Sequence, residues 1–203
     1  MLRGLPLAQD GTYSGTFLGL LNPYAVLVGV LSLVSLLMHG AAFLACKTDA
    51  TNQKRFAGIS RIMWAGTVLL FVLATVATAW GNSTLPGLRA LNPLAWLLAI
   101  LLIAAAAAFP IASSKRLYTP AVCLSGAMLG CMMGLAAVGL FPRLLPSSTD
   151  AAASLTIYNS ASSQRTLTAM LVIALIGMPL VIGYTFFIYR AFRGPVVLHE
   201  DSY

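Results

Sequence analysis

The sequence predicts an all-α fold, a polytopic membrane bundle of five transmembrane helices that forms a single domain over residues 1–203. Hydrophobic residues make up 59% of the chain and charged residues only 8%, whereas a soluble domain carries roughly a quarter of its residues as Asp, Glu, Lys and Arg. A chain with so little polar surface needs the bilayer as its solvent. Five apolar segments are long enough to cross ~30 Å of hydrocarbon. They lie at about 17–45, 57–80, 92–113, 119–141 and 167–190.

The first and third segments open with similar patterns, LLNPYAVL and ALNPLAWL. In each, the asparagine (Asn22 or Asn92) is suited to cap a helix, because its side chain can accept a hydrogen bond from a free backbone N–H. The proline that follows (Pro23 or Pro93) suits the first helical position, where no N–H is needed. The two patterns therefore predict two helix starts.

The fourth segment contains Gly126, Gly130 and Gly134 at a spacing of four, which places the three glycines on one helix face. Such a face lets the backbone of a neighbouring helix approach closely. The fifth segment contains Pro179, which predicts a kink because proline removes an intrahelical hydrogen bond. Both features suit a static bundle and also a hinge for transport, and the sequence leaves that choice open.

The distribution of basic residues predicts the orientation. One side of the membrane holds Lys47, Lys54, Arg55, Arg61, Lys115, Arg116, Arg190 and Arg193, and the other holds Arg3, Arg89, Arg143 and Arg165. The positive-inside rule then places the N-terminus and the loop 142–166 outside, and the tail 191–203 in the cytoplasm. The net charge of +7 accordingly indicates membrane orientation and not nucleic-acid binding. The first fifteen residues lack the order of a signal peptide, and an odd number of spans from an outside start is typical of the rear part of a longer protein.

Residues that could carry chemistry are few within the spans. The acidic residues all lie outside the predicted spans, which argues against a proton-driven transporter, since proton relays use intramembrane carboxylates. The three cysteines have no metal-ligand spacing and are interpreted as packing residues. His39 lies inside the first span, where it could be a haem ligand, a proton carrier or a polar contact between helices. The second histidine, His199, lies in the tail, and we favour the polar contact for His39.

Three stretches carry a family resemblance that extends over essentially the whole chain. They are SGTFLGLLNPYAVLVGVLSLVSLLMHGAAFLACKT, which includes Asn22 and Pro23, then SLTIYNSASSQRTL and YTFFIYRAFRG. Together they resemble the second subunit of cytochrome bd-type ubiquinol oxidases. The most specific residues are Ser154, Leu155, Thr156, Ile157, Tyr158, Asn159, Ser162, Ser163, Tyr184, Thr185, Tyr189, Arg190, Phe192, Arg193 and Gly194.

The resemblance implies a subunit of a respiratory enzyme that oxidises quinol and reduces oxygen, located in the bacterial inner membrane. It implies that haem b and haem d belong to the partner, subunit I, and that this chain binds no cofactor and has no catalytic residue of its own. It also implies that the chain packs beside the haem-bearing subunit, with His39 as a helix-packing residue. A separate N-terminal half and small accessory subunits are further partners that it allows.

One departure from the family pattern is large. Members of the family begin with about three further spans, including an early helix with an acidic residue linked to proton movement, and no residue here corresponds to it. The sequence therefore predicts a rear-half fragment or the product of a split or truncated gene. A small transporter or channel, and an unassembled fragment, are the alternative hypotheses.

Overall fold

The computed structural model describes residues 4–6, 12–81, 92–148 and 154–192. Within these ranges the chain forms five long helices, each long and apolar enough to cross a membrane, which confirms the predicted all-α membrane fold. The helices are α1 Pro23–Lys47, α2 Ala50–Gly81, α3 Pro93–Ser114, α4 Tyr118–Leu140 and α5 Gln164–Ala191.

The two Asn-Pro patterns start helices as the sequence predicts. Asn22 Oδ1 accepts a hydrogen bond from Ala25 N at 2.8 Å, and Asn92 Oδ1 accepts one from Leu94 N at 3.0 Å. The first transmembrane helix therefore begins at Pro23 and not near residue 17. The residues before it form a separate 3₁₀ turn, Phe17–Leu20.

Helix α2 is longer than the segment predicted for it. The prediction started at about residue 57, whereas the helix begins at Ala50. Its 32 residues span about 48 Å, so about a third of its length extends beyond ~30 Å of hydrocarbon. Polar residues at that end continue the helix past the length that the hydrocarbon requires.

Helices α1 and α2 form an antiparallel pair through small buried residues. On α2, Ser60, Thr67 and Ala74 recur every seven residues, and on α1 the corresponding buried positions include Ser35 and Ala42. A repeat of seven keeps one seam of each helix facing its partner, and small side chains allow close approach. Hydrogen bonds at both ends fix the register: the Tyr24 and Thr78 hydroxyls lie 2.7 Å apart, and Gln53 Nε2 donates to Ala45 O at 3.0 Å.

Helices α3 and α4 form a second antiparallel pair, whose core is more apolar. Phe109 and Met128 are almost fully buried there together with Met38 from α1. The two pairs join into a closed ring of four helices, since α1 also contacts α4 and α2 also contacts α3. Side chains thus fill the centre of a four-helix bundle.

Trp64 connects α2 to α3 at a point where α3 lacks a hydrogen bond. Pro110 lies inside α3 and has no N–H, so the carbonyl of Ala106, four residues earlier, loses its helical partner. The half-buried indole of Trp64 donates its Nε1–H to this carbonyl at 3.1 Å. A side chain from one helix thereby supplies the bond that proline removes from another.

Helix α5 lies apart from the bundle. None of its residues is buried, although it is strongly apolar. At its C-terminal end, Lys47 Nζ donates to the carbonyl of Phe192 at 2.8 Å. Pro179 lies inside α5, as expected, and the kink predicted there stays a prediction.

The bundle has two chemically different ends. A small antiparallel hairpin, β1 Arg143–Leu145 with β2 Leu155–Thr156, lies at the end where α4 finishes and α5 begins, and we call this the hairpin end. The basic end is the opposite one. It carries Lys47, Lys54, Arg55, Arg61, Lys115, Arg116 and Arg190 among the described residues.

Candidate functional site

His39 joins α1 to α4 through a hydrogen bond with Ser125. It is the sixteenth residue after Pro23, about 24 Å along the axis and nearer the basic end. Its Nδ1 lies 2.8 Å from Ser125 Oγ, and Ser125 is fully buried. Gly126 lies beside the imidazole ring, since a Cβ built there would lie at ordinary contact distance, 3.6 Å, from His39 Cε1. The structure thus brings together two residues that the sequence analysis singled out separately, His39 and Gly126.

The hydrogen bonds of Ser125 determine which ring nitrogen of His39 carries a proton. The Ser125 hydroxyl donates its hydrogen to the carbonyl of Val122 at 2.8 Å, so its oxygen can only accept from the histidine. This hydrogen-bond arrangement assigns the N–H donor to Nδ1. Nε2 is then the ring nitrogen left to interact with another group.

The three glycines of α4 differ in their surroundings. Gly126 contacts His39, and a Cβ at Gly134 would lie only 3.0 Å from Leu98 Cδ1 on α3. A Cβ at Gly130 would meet no described atom within 4 Å, and Gly130 is exposed. Gly126 and Gly134 thus each lie beside a side chain of another helix of the bundle. The packing role of Gly130 stays a prediction and requires a partner outside the bundle.

The sequence motif of residues 154–159 forms a tight hydrogen-bonded turn at the hairpin end. Asn159 is its centre: Oδ1 accepts from Thr156 N at 2.6 Å, and Nδ2 donates to Ser154 O at 3.0 Å. The buried Ser154 hydroxyl accepts from Ser147 N at 3.0 Å, which fastens the turn to the hairpin. Leu155 lies in β2, and Tyr158 projects from the tip with 74% of its surface exposed.

The remaining motif residues lie in or beside α5, or outside the described ranges. Ser163 caps α5, its hydroxyl accepting from Thr166 N at 3.4 Å, and Ser162 is exposed just before it. Arg190 lies in the last turn of α5. Arg193 and Gly194 lie outside the residues that the structure describes. The motif is therefore split between the two ends of α5.

Replacing Asn159 by Ala is expected to loosen the turn by about 1–3 kcal/mol, because the Thr156 amide and the Ser154 carbonyl lose their partner together. Hydrogen exchange of the Thr156 amide measures this as an increase of roughly five-fold or more in exchange rate. Ser162→Ala, an exposed neighbour outside the turn, is the control. Unchanged exchange in Asn159→Ala would show that the backbone holds the turn without the side chain.

Comparisons with known proteins agree with one another. The model of a family described as cytochrome bd terminal oxidase subunit II matches residues 1–192. The probable cytochrome oxidase subunit 2 of Haemophilus influenzae is 31% identical over 228 residues, covering 96% of this chain and 59% of the relative. Cytochrome bd-I ubiquinol oxidase subunit 2 of Escherichia coli K12 is 30% identical over 230 residues, covering 98% and 61%. Cytochrome bd ubiquinol oxidase subunit 2 of Bacillus subtilis is 30% identical, covering 95% and 56%. The chain thus spans 56–61% of the length of these relatives.

Proposed function

This chain belongs to the family of cytochrome bd terminal oxidase subunit II, and from that premise we propose that it is the second subunit of a quinol:oxygen oxidoreductase of aerobic respiration. In this proposal the chain binds no haem itself. It packs against a haem-bearing subunit I in the bacterial inner membrane and supports it. The complex takes quinol and oxygen as substrates.

The observation that carries the packing role is the exposed surface of α5. This helix is apolar around its whole circumference, and none of its 28 residues is buried by the rest of the described chain. Gly177 and Gly183 leave the helix backbone uncovered, because even a Cβ at either position would meet no described atom within 4 Å. Small residues of this kind favour close approach of another transmembrane helix. We therefore assign α5 to the interface with the partner subunit.

The interior of the four-helix bundle supports a structural role over a transport role. Met38, Phe109 and Met128 have at most 2% of their surface exposed and fill its centre. A transporter needs a path or a binding site between its helices, usually lined by polar groups. The large apolar side chains that fill the centre instead suit a rigid scaffold.

The proposed position of the haems in subunit I is consistent with the bonding of His39. His39 is the only histidine within the described ranges, and one of its ring nitrogens already bonds Ser125. A haem held by two side chains would need a second axial ligand from elsewhere. We therefore assign His39 to helix packing.

The proposed orientation follows from the two ends of the bundle. Among the described residues, seven cationic side chains lie at the basic end and two, Arg143 and Arg165, at the hairpin end. The positive-inside rule places the basic end in the cytoplasm and the hairpin end outside.

Purification of the chain from its host membranes in mild detergent tests the proposal. We expect a larger subunit to co-purify, and the reduced-minus-oxidised absorption spectrum to show haem bands. Mass spectrometry of the co-purifying chains would also show whether a separate chain supplies the remaining family spans. A stable chain that carries neither haem nor a partner would contradict the proposal.

Replacing His39 by Ala in that complex is expected to leave the haem content unchanged, because its polar contact lies within this chain. The pyridine haemochrome assay measures haem per complex. Ser125→Ala, which removes the other half of the same contact, is the matched control. Loss of one haem in His39→Ala but not in Ser125→Ala would identify His39 Nε2 as a ligand and overturn the packing role.

A further inference from the structure

Three of the cations at the basic end surround one glycine on the exposed surface of α2. With 3.6 residues per turn, Lys54, Arg55 and Arg61 lie on the same side of the helix as Gly58. All three cationic side chains are exposed, and a Cβ built at Gly58 would meet no described atom within 4 Å. The helix surface at Gly58 is therefore open, on the face that carries the three cations, and we call this position the notch.

The same face continues as an apolar stripe toward the hairpin end. Ile62, Leu69 and Val76 follow Arg55 at intervals of seven residues, and their exposed fractions are 68%, 61% and 49%. A cationic group thus lies directly above a strip of exposed hydrocarbon. This is the pattern that fits a molecule with an anionic head and an apolar tail.

The notch lies at the depth of lipid headgroups. Trp80, 89% exposed near the end of α2, marks the opposite membrane interface, where amphipathic indole rings reside. A hydrocarbon layer of ~30 Å corresponds to about 20 helical residues and so reaches back to Arg61. Gly58 is one turn further, at the level of the phosphates. Arg61 Nε donates to Ala57 O at 3.4 Å, so its side chain turns back toward that level.

The three cations have no carboxylate partner within the described ranges. Asp49 is the only acidic residue there, and its Oδ1 accepts a hydrogen bond from Asn52 Nδ2 at 2.8 Å. Three like charges around one notch repel one another, and an external anion relieves that repulsion. We propose that this face of α2 binds one anionic phospholipid, with its phosphate in the notch at Gly58 and an acyl chain along Ile62 and Leu69. The proposal does not depend on the oxidase assignment.

Lipid selectivity of the full chain, with its complex if one co-purifies, tests the site. The chain is placed in nanodiscs of phosphatidylcholine with a fraction of phosphatidylglycerol, and native mass spectrometry counts the retained lipids. Replacing Lys54 and Arg61 together by Gln is expected to lower the preference for phosphatidylglycerol about five-fold per removed charge. Lys115→Gln with Arg116→Gln removes the same charge from the same end and is expected to leave the preference unchanged.

Gly58→Leu distinguishes lipid binding in the notch from general attraction by surface charge, because it fills the notch and keeps all three cations. We expect it to lower the preference as well, and thermal unfolding verifies that each variant remains folded. An equal loss in the Lys115 and Arg116 variant would overturn the site in favour of general surface charge. An unchanged preference in Gly58→Leu would overturn the notch, and displacement of the lipid by inorganic phosphate would overturn the acyl contact.

Discussion

Replacing Trp64 by Phe is expected to destabilise the four-helix bundle by about 1–2 kcal/mol. Phenylalanine keeps an aromatic ring against α3 but cannot donate to the Ala106 carbonyl, which the indole reaches at 3.1 Å. That carbonyl has no helical donor because residue 110 is proline. The free energy of unfolding in micelles, from SDS titration followed by circular dichroism, measures the loss.

A double-mutant cycle with Pro110→Ala shows whether the bond replaces the missing amide. Alanine supplies an N–H to the Ala106 carbonyl, so Trp64→Phe should cost at least 1 kcal/mol less in that background. Trp96→Phe is the matched control, since this tryptophan is 60% exposed at the start of α3. Equal costs of Trp64→Phe in both backgrounds would show that the indole and the proline act independently.

The sequence was sufficient for the features that depend on residues close together in the chain. Hydrophobic length gave five helices, and each Asn-Pro pair marked a helix start because cap and first turn are local. Ser163 caps α5 in the same local way, through a backbone N–H three residues on. Helix α2 was underestimated, since polar residues do not end a helix when it simply continues out of the hydrocarbon.

Contacts between helices could not be predicted in the same way. His39 and Ser125 are 86 residues apart, and Trp64 and Ala106 are 42 apart. Each pair depends on the rotation and register of two helices, which the apolar pattern of a membrane helix hardly specifies, because nearly every face is hydrophobic. Pro110 inside α3 is a sequence feature that implies a carbonyl in need of a donor, but the sequence does not indicate which helix supplies it.

Replacing Gly134 by Leu is expected to cost about 1–3 kcal/mol of bundle stability, the usual range for overpacking. Even a Cβ at this position would lie 3.0 Å from Leu98 Cδ1, and three further carbons would force α3 and α4 apart. Gly130→Leu is a matched control on the same helix, because its Cβ would meet no described atom within 4 Å. In the isolated chain we expect it to leave the free energy of unfolding unchanged or slightly raised, since leucine is the better helix former.

When the partner is present, the same two variants distinguish packing inside the bundle from packing on its outer surface. If α4 presents Gly130 to another subunit, Gly130→Leu lowers the yield of the intact complex while the isolated chain stays stable, and Gly134→Leu lowers both. Size-exclusion yield of the complex and unfolding of the free chain measure the two effects separately. An unchanged yield with Gly130→Leu would assign that position to lipid and leave α5 as the proposed contact surface. Because the two glycines are one helical turn apart, the two leucine variants differ mainly in the neighbours that the new side chain meets.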